Sequence, residues 1–149
     1  MTEIAFYHLQ QSSLEVALAQ LLDLTLKANK RAVVRVGTLD RITTLDSALW
    51  VQGKDSWLPH GSEEGGYAED QPIWLTTENK NPNSADYLFL TDGSEIEDIA
   101  SFERCFDLFD GNDDVSVIAA RDRWKFFKGS GHDLHYWQQN DYGKWEEKS

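Results

Sequence analysis

Ile4-Ala5-Phe6-Tyr7-His8-Leu9-Gln10-Gln11-Ser12-Ser13-Leu14 is the stretch on which the fold turns. Six mostly apolar residues stop at a four-residue polar break, and apolar side chains then resume as Leu14, Leu18, Leu21 and Leu22. The first run is short and reads as a strand. The second has helical spacing, with Ser12 and Ser13 placed to cap it. The same alternation follows downstream. Ala32-Val33-Val34-Arg35-Val36 is a β-branched strand closed by Gly37, and Leu39, Ile42, Leu45 and Leu49 mark a helix ending near Trp50. Pro72-Ile73-Trp74-Leu75-Thr76 and Tyr87-Leu88-Phe89-Leu90 add two strands, joined by the polar turn Asn79 to Ser84. Phe102 to Phe109 suggests a fifth strand. This order predicts a three-layer, Rossmann-like α/β domain with a largely parallel central sheet.

The chain has 149 residues, a size that suits one domain with one substantial core. We expect a single domain over 1–149, with 145–149 as a frayed tail. Hydrophobic content of 40% and charged content of 27% are ordinary globular values. A net charge of −12 argues against general nucleic-acid binding. The single cysteine, Cys105, excludes an internal disulfide framework and reads as a buried, inert thiol. No basic start with an apolar signal core and no membrane-length apolar run occur, so a soluble, cytoplasmic protein is expected.

A Rossmann-like outline invites a nucleotide, but Leu9-Gln10-Gln11-Ser12-Ser13 has no glycine at the first strand-to-helix turn. The dinucleotide fingerprint, the P-loop and the nucleophile elbow are all missing. Gly129-Ser130-Gly131 follows a helix and reads as its stop. His132 and His135 make a weak metal pair without further ligands at suitable spacing. The acidic pairs Glu63/Glu64 and Asp113/Asp114 read as solvated charge. No constellation for catalysis, no metal site and no cofactor are expected.

What stands out is Arg121-Asp122-Arg123-Trp124-Lys125-Phe126-Phe127-Lys128, where four of the chain's 14 basic residues meet three aromatics. On a helix over 112–128, Arg121, Lys125 and Lys128 fall within roughly 60° of arc, with Trp124 and Val117 at its border. Arg123 projects to another side. Val115, Ile118, Ala119 and Phe126 gather on a separate face, expected to be the core face, while Ala120 and Phe127 pack partly inward. Two readings of the basic edge stand. Cations near a helix C-terminus complement its dipole, worth about 0.3–1 kcal/mol each. Alternatively, three like charges beside an indole bind a short acidic peptide with an apolar end.

A second candidate surface is Trp50 with Trp57, Pro59 and His60, where a helix end meets a long loop over residues 52–71 that holds five glycines and prolines. Trp57 either closes the core or anchors a partner.

Over nearly its whole length the chain resembles the chi subunit family of the bacterial DNA polymerase III holoenzyme. The shared order runs through Phe6-Tyr7-His8-Leu9, Leu45-Asp46-x-x-Leu49-Trp50, Trp57-Leu58-Pro59-His60-Gly61, Gln71-Pro72-Ile73, Phe102-Glu103-Arg104 and Phe109-Asp110-Gly111. It continues in Ala120-Arg121-Asp122-Arg123-Trp124-Lys125, Leu134-His135-Tyr136-Trp137-Gln138-Gln139 and Gly143-Lys144-Trp145-Glu146. The resemblance implies a non-catalytic clamp-loader accessory with a Rossmann-like fold. Its partners would be the acidic, phenylalanine-ended tail of single-stranded DNA-binding protein and a psi subunit. It carries the tail pocket onto Arg121, Trp124 and Lys125, with Lys128 as a further basic position, and the psi surface onto Trp50 and Trp57. Trp124 stands where some members have tyrosine, keeping the stacking wall without a hydroxyl. Other classes to weigh are a small nucleotide-binding α/β enzyme and a direct single-stranded DNA binder.

Overall fold

In the computed structural model the described residues are 2–11, 13–52, 61–62, 71–78, 81, 83–91, 99–142 and 144–148. Strand β1 (Glu3–Leu9) leads into helix α1 (Leu14–Lys27), whose first turn is capped by Ser13 Oγ accepting from the backbone N–H of Val16 at 3.3 Å. Strand β2 (Ala32–Arg35) leads into α2 (Leu39–Gln52), where Thr38 Oγ1 accepts from the Arg41 N–H. Then come β3 (Gly61–Ser62), β4 (Ile73–Thr76), β5 (Tyr87–Leu90) and β6 (Arg104–Asp110). Helix α3 (Asp114–Gly129), β7 (Asp133–Gln139) and β8 (Trp145–Glu147) complete the chain.

Among the described residues one eight-stranded sheet runs in the order β3-β4-β2-β5-β6-β1-β7-β8. Every pairing is parallel except β7 with β8. Alternate strand residues feed two cores, as the two-residue period of a strand demands. Tyr7, Val34, Leu75, Phe89 and Leu108 pack with Leu18 and Leu22 of α1 and Ile42 and Leu45 of α2. Phe6, Val33, Trp74, Leu88 and Cys105 pack on the other face with Ala120 and Phe127 of α3. The three-layer, Rossmann-like α/β architecture is therefore as read from the strand–helix alternation.

Three differences matter. The aromatic tail is not appended to the domain but enters the sheet, β7 lying parallel beside β1 in register Tyr7↔Trp137. Trp145–Glu147, in the stretch expected to fray, pairs antiparallel with β7, and Trp145 packs edge-on against Tyr7 at 5.0 Å. The polar residues Asp133, His135, Gln138 and Gln139 hide β7, because strands near a sheet edge bury less. The third difference is the orientation of α3. Val115, Ile118 and Phe126, the expected core face with Ala119, are 74%, 59% and 70% exposed. Ala120 and Phe127, expected only partly inward, are buried instead.

What turns α3 this way is a buried ion pair. Asp107 sits on β6 between Phe6 and Leu90 of the neighbouring strands, with its side chain 2% exposed. Arg123 reaches down from α3, and its Nε and Nη2 donate to the two carboxylate oxygens at 2.6 and 2.9 Å. A carboxylate in that setting requires its partner, since loss of one member of a buried pair costs about 3–5 kcal/mol. Cys105, two residues earlier on the same face, is fully buried, and that burial pushes its thiol well above the ordinary pKa.

We expect Arg123→Met to destabilise the fold by about 3–5 kcal/mol, and the apolar double replacement Asp107→Leu/Arg123→Leu to recover most of that loss. Urea unfolding measures both. A double variant as unstable as the single one would contradict this account.

Candidate functional site

With Arg123 pinned, the remaining side chains of α3 have fixed directions. Asp113 caps the helix, its carboxylate accepting from the Ser116 N–H at 3.3 Å and hydroxyl at 2.7 Å, and the Ser116 hydroxyl bond lowers the Asp113 pKa. At the far end Ser130 and Gly131, the latter at φ +81°, close the helix. Arg121, Lys125 and Lys128 are exposed along one edge. Val117 and Trp124 border that edge half-buried, both packed on the core beneath α3.

Trp124 is held edge-on by Phe6 at 5.4 Å and by Tyr136 of β7 at 5.8 Å. Its indole thus forms a wall between the basic edge of α3 and β7. The Tyr136 hydroxyl shares a hydrogen bond of 2.6 Å with His8 Nδ1 at the end of β1. Burial lowers the His8 pKa, and the Arg121 charge acts in the same direction. Burial raises the Tyr136 pKa, and Arg121 opposes it. The Arg121 charge thus acts on both rings, and His8 and Tyr136 lie beneath the α3 edge that bears it. The His8 ring rests on Gly111, where a Cβ would fall 1.9 Å from His8 Cδ2 and 2.6 Å from the Leu9 carbonyl oxygen. Only glycine permits that approach.

His8 and Tyr136 are the site residues that helical geometry misses. Tyr136 follows once β7 is recognised, because it shares the α3 side of that strand with Leu134. Of the second candidate surface, Trp50 stands in the last turn of α2 with its side chain outside the described residues. Trp57, Pro59 and His60 also lie outside them. His132 and His135 are not brought together. His132 packs against Phe127 on the α3 side, whereas His135 lies among Glu3, Asp133 and Glu147 on the side of Trp137.

A crevice of about 710 Å3 lies at the C-terminal ends of β1 and β6, lined by Leu9, Gln10, Leu14, Arg41, Val115 and Arg123 among others. Connections leave these adjacent strands toward opposite faces, the place where open α/β sheets bind ligands. Its donors, however, are engaged from within. Gln139 Oε1, from the buried end of β7, accepts from the N–H groups of Gln10 at 3.0 Å and Gln11 at 2.9 Å. Ser13 and Asp113 cap the two helices that start here. A phosphate would have to displace all of these.

The molecule is thus a Rossmann-like α/β protein whose switch-point amides are occupied by its own side chains and in which Arg121, Lys125 and Lys128 line one exposed helix edge. The chain belongs to the DNA polymerase III chi subunit family: the model for the family described as DNA polymerase III chi subunit, HolC, matches residues 1–135. A curated relative, the probable DNA polymerase III subunit chi of Rickettsia prowazekii (strain Madrid E), is 24% identical over 152 residues, covering 97% of this chain and 91% of the relative. The family is one of accessory subunits in DNA replication. No helix among the described residues is long and apolar enough to cross a membrane.

Since the folded protein holds His8 neutral to lower pH, the unfolded chain takes up the extra proton as pH falls below the ordinary value of 6.5. Stability contributed by the neutral ring is present above that value and declines below it. We expect His8→Gln to show a smaller loss of stability between about pH 7.5 and pH 5 than the parent. Urea midpoints at the two pH values report it, and equal losses would contradict the assignment.

Proposed function

We propose that this chain is a non-catalytic adaptor of the replicative clamp-loader assembly. In this reading the α3 groove takes the acidic, phenylalanine-ended tail of single-stranded DNA-binding protein, and the Trp50, Trp57, Pro59 and His60 surface takes a psi-type partner. The observation that carries the first part is the sorting of charge on α3. Arg123 is consumed by Asp107, while Arg121, Lys125 and Lys128 stay exposed beside Trp124. Guanidinium and ammonium groups along one edge suit successive carboxylates, and the half-buried Trp124 and Val117 offer apolar surface for an aromatic end. A macrodipole role alone explains a cation in the last turn, such as Lys128, but not Arg121, which stands mid-helix.

Two features weigh against the rival readings. The switch-point N–H groups of Gln10 and Gln11 are taken by Gln139, which disfavours a nucleotide enzyme. A net charge of −12 disfavours bare single-stranded DNA, whose backbone would be repelled by most of the surface.

The test is a fluorescence anisotropy titration with a labelled peptide ending in Asp-Asp-Ile-Pro-Phe. Arg121→Glu is expected to weaken binding more than about tenfold, which is 1.4 kcal/mol, and Lys125→Ala by several-fold. Affinity should fall as salt rises, because these charges are exposed. Unchanged affinity for Arg121→Glu would remove the groove from this role.

Trp57→Ala is expected to leave the peptide titration unchanged and to weaken a psi-type partner in pull-down. The opposite pattern would exchange the two assignments.

A further inference from the structure

The backbone donors of the crevice at the ends of β1 and β6 are taken, but one side-chain donor is not. Arg123 meets Asp107 side-on through Nε and Nη2, so its Nη1 points away from the carboxylate. The Arg123 side chain is only 10% exposed, it lines the crevice, and its Nη1 has no acceptor among the described residues. Nη1 is not one of the sealed, unpartnered atoms of the structure, so it keeps a surface, and the crevice is the space that Arg123 lines. Two N–H groups of a guanidinium held rigidly from behind therefore open into the cavity. Donors that are already largely withdrawn from water gain most from an acceptor brought to them.

The rest of the lining decides what kind of acceptor fits. Leu9, Leu108 and Phe109 bring apolar atoms from the strand ends, and Leu14, Val115 and Ala119 do so from α1 and α3. The volume, about 710 Å3, lies within the roughly 300–1,000 Å3 of small-molecule pockets. Charge around it is balanced. Asp107 neutralises Arg123, Glu15 lies 3.8 Å from Arg41, and exposed Asp110 adds a carboxylate to the lining. With the N–H groups of Gln10 and Gln11 given to Gln139, an anion finds neither excess positive charge nor a cradle of amides. A cation would lie against the two guanidinium groups of Arg41 and Arg123. We propose that the crevice binds an uncharged, largely apolar small molecule that presents a carbonyl or amide oxygen to Arg123 Nη1. Asp107 then serves twice, since it fixes the rotation of α3 and aims the guanidinium at the ligand. The crevice shares no lining residue with the basic edge of α3, so the proposal does not rest on the tail reading.

Benzamide is the probe, titrated onto the isotope-labelled full chain and followed by NMR. Benzoate is its charged counterpart, and toluene its counterpart without an acceptor. The amide signals of Gln10, Gln11 and Ala119 and the Nε–H signal of Arg123 are expected to shift saturably with benzamide, at a Kd of about a millimolar. Benzoate and toluene should bind about fivefold more weakly or worse. Ala119→Phe fills the crevice without touching the ion pair and should weaken benzamide about tenfold. The double replacement Asp107→Leu/Arg123→Leu removes the donor and keeps the packing apolar, and there benzamide should bind no better than toluene. Absence of saturable shifts, benzoate binding as tightly as benzamide, shifts centred on Trp124, or a titration insensitive to Ala119→Phe would overturn the proposal.

Discussion

The Asp107–Arg123 pair is the constraint on which the arrangement of α3 rests. A carboxylate placed between Phe6 and Leu90 on a central strand has no access to water, so the fold must bring it a fixed cation. Arg123 satisfies both oxygens at once, and a bidentate contact fixes direction as well as distance. It sets the rotation of α3 about its own axis. From that one angle follow the burial of Ala120 and Phe127, the half-burial of Trp124 against Phe6, and the outward projection of Arg121, Lys125 and Lys128. A buried ion pair is a poor source of net stability but an effective source of geometry.

The same pair explains where the sequence was readable and where it was not. Strands β1, β2, β4, β5 and β6 are dense in aliphatic and aromatic residues, because each is flanked by neighbours on both sides and covered on both faces. Their positions follow from composition alone, and so do α1 and α2, whose leucines repeat on one face. Helix α3 is different. Its true inward face holds Ser116, Ala120, Arg123 and Phe127, two of them polar. The competing face, with Val115, Ile118 and Phe126, is the more hydrophobic of the two. Apolar periodicity therefore selects the wrong side, since it has no means of knowing that an arginine is neutralised by an aspartate in a strand sixteen residues earlier. The basic edge was still legible, because Arg121, Lys125 and Lys128 share an arc whichever face points inward. Tyr136 and His8 were not, since their meeting depends on β7 lying beside β1, a pairing across 128 residues of sequence.

Gln139 occupies the place where this fold commonly takes a ligand. The turn after β1 still presents two backbone N–H groups at the switch point, but both donate to one buried amide oxygen from β7. Asn112 adds a bond to the Gln10 carbonyl, and the Gly111 N–H bonds the Leu9 carbonyl at 2.7 Å. A buried amide oxygen that accepts two loop N–H groups stiffens the loop and ties β7 to β1. Loop atoms that elsewhere hold a phosphate here hold the end of the protein's own β7. The strand in turn supplies Tyr136, which walls the groove beside Trp124. Occupation of the switch-point amides and the packing of Tyr136 against Trp124 are parts of a single arrangement.

In the proposed function, charge decides how the basic edge of α3 is used. On a protein of net charge −12, three exposed cations in a row are a local exception, and the surrounding negative field limits what approaches them. A long polyanion would pass over carboxylates before and after the cations and gain little. A short acidic segment reaches them with only its end, so attraction over a few ångströms outweighs repulsion from the more distant surface, which salt screens beyond about 8 Å. On the proposed function, selectivity between a nucleic acid and a peptide tail does not need a dedicated contact. It arises from the smallness of the positive edge, and that edge is small because Arg123, the fourth cation of the run, is buried against Asp107 and lost to the surface.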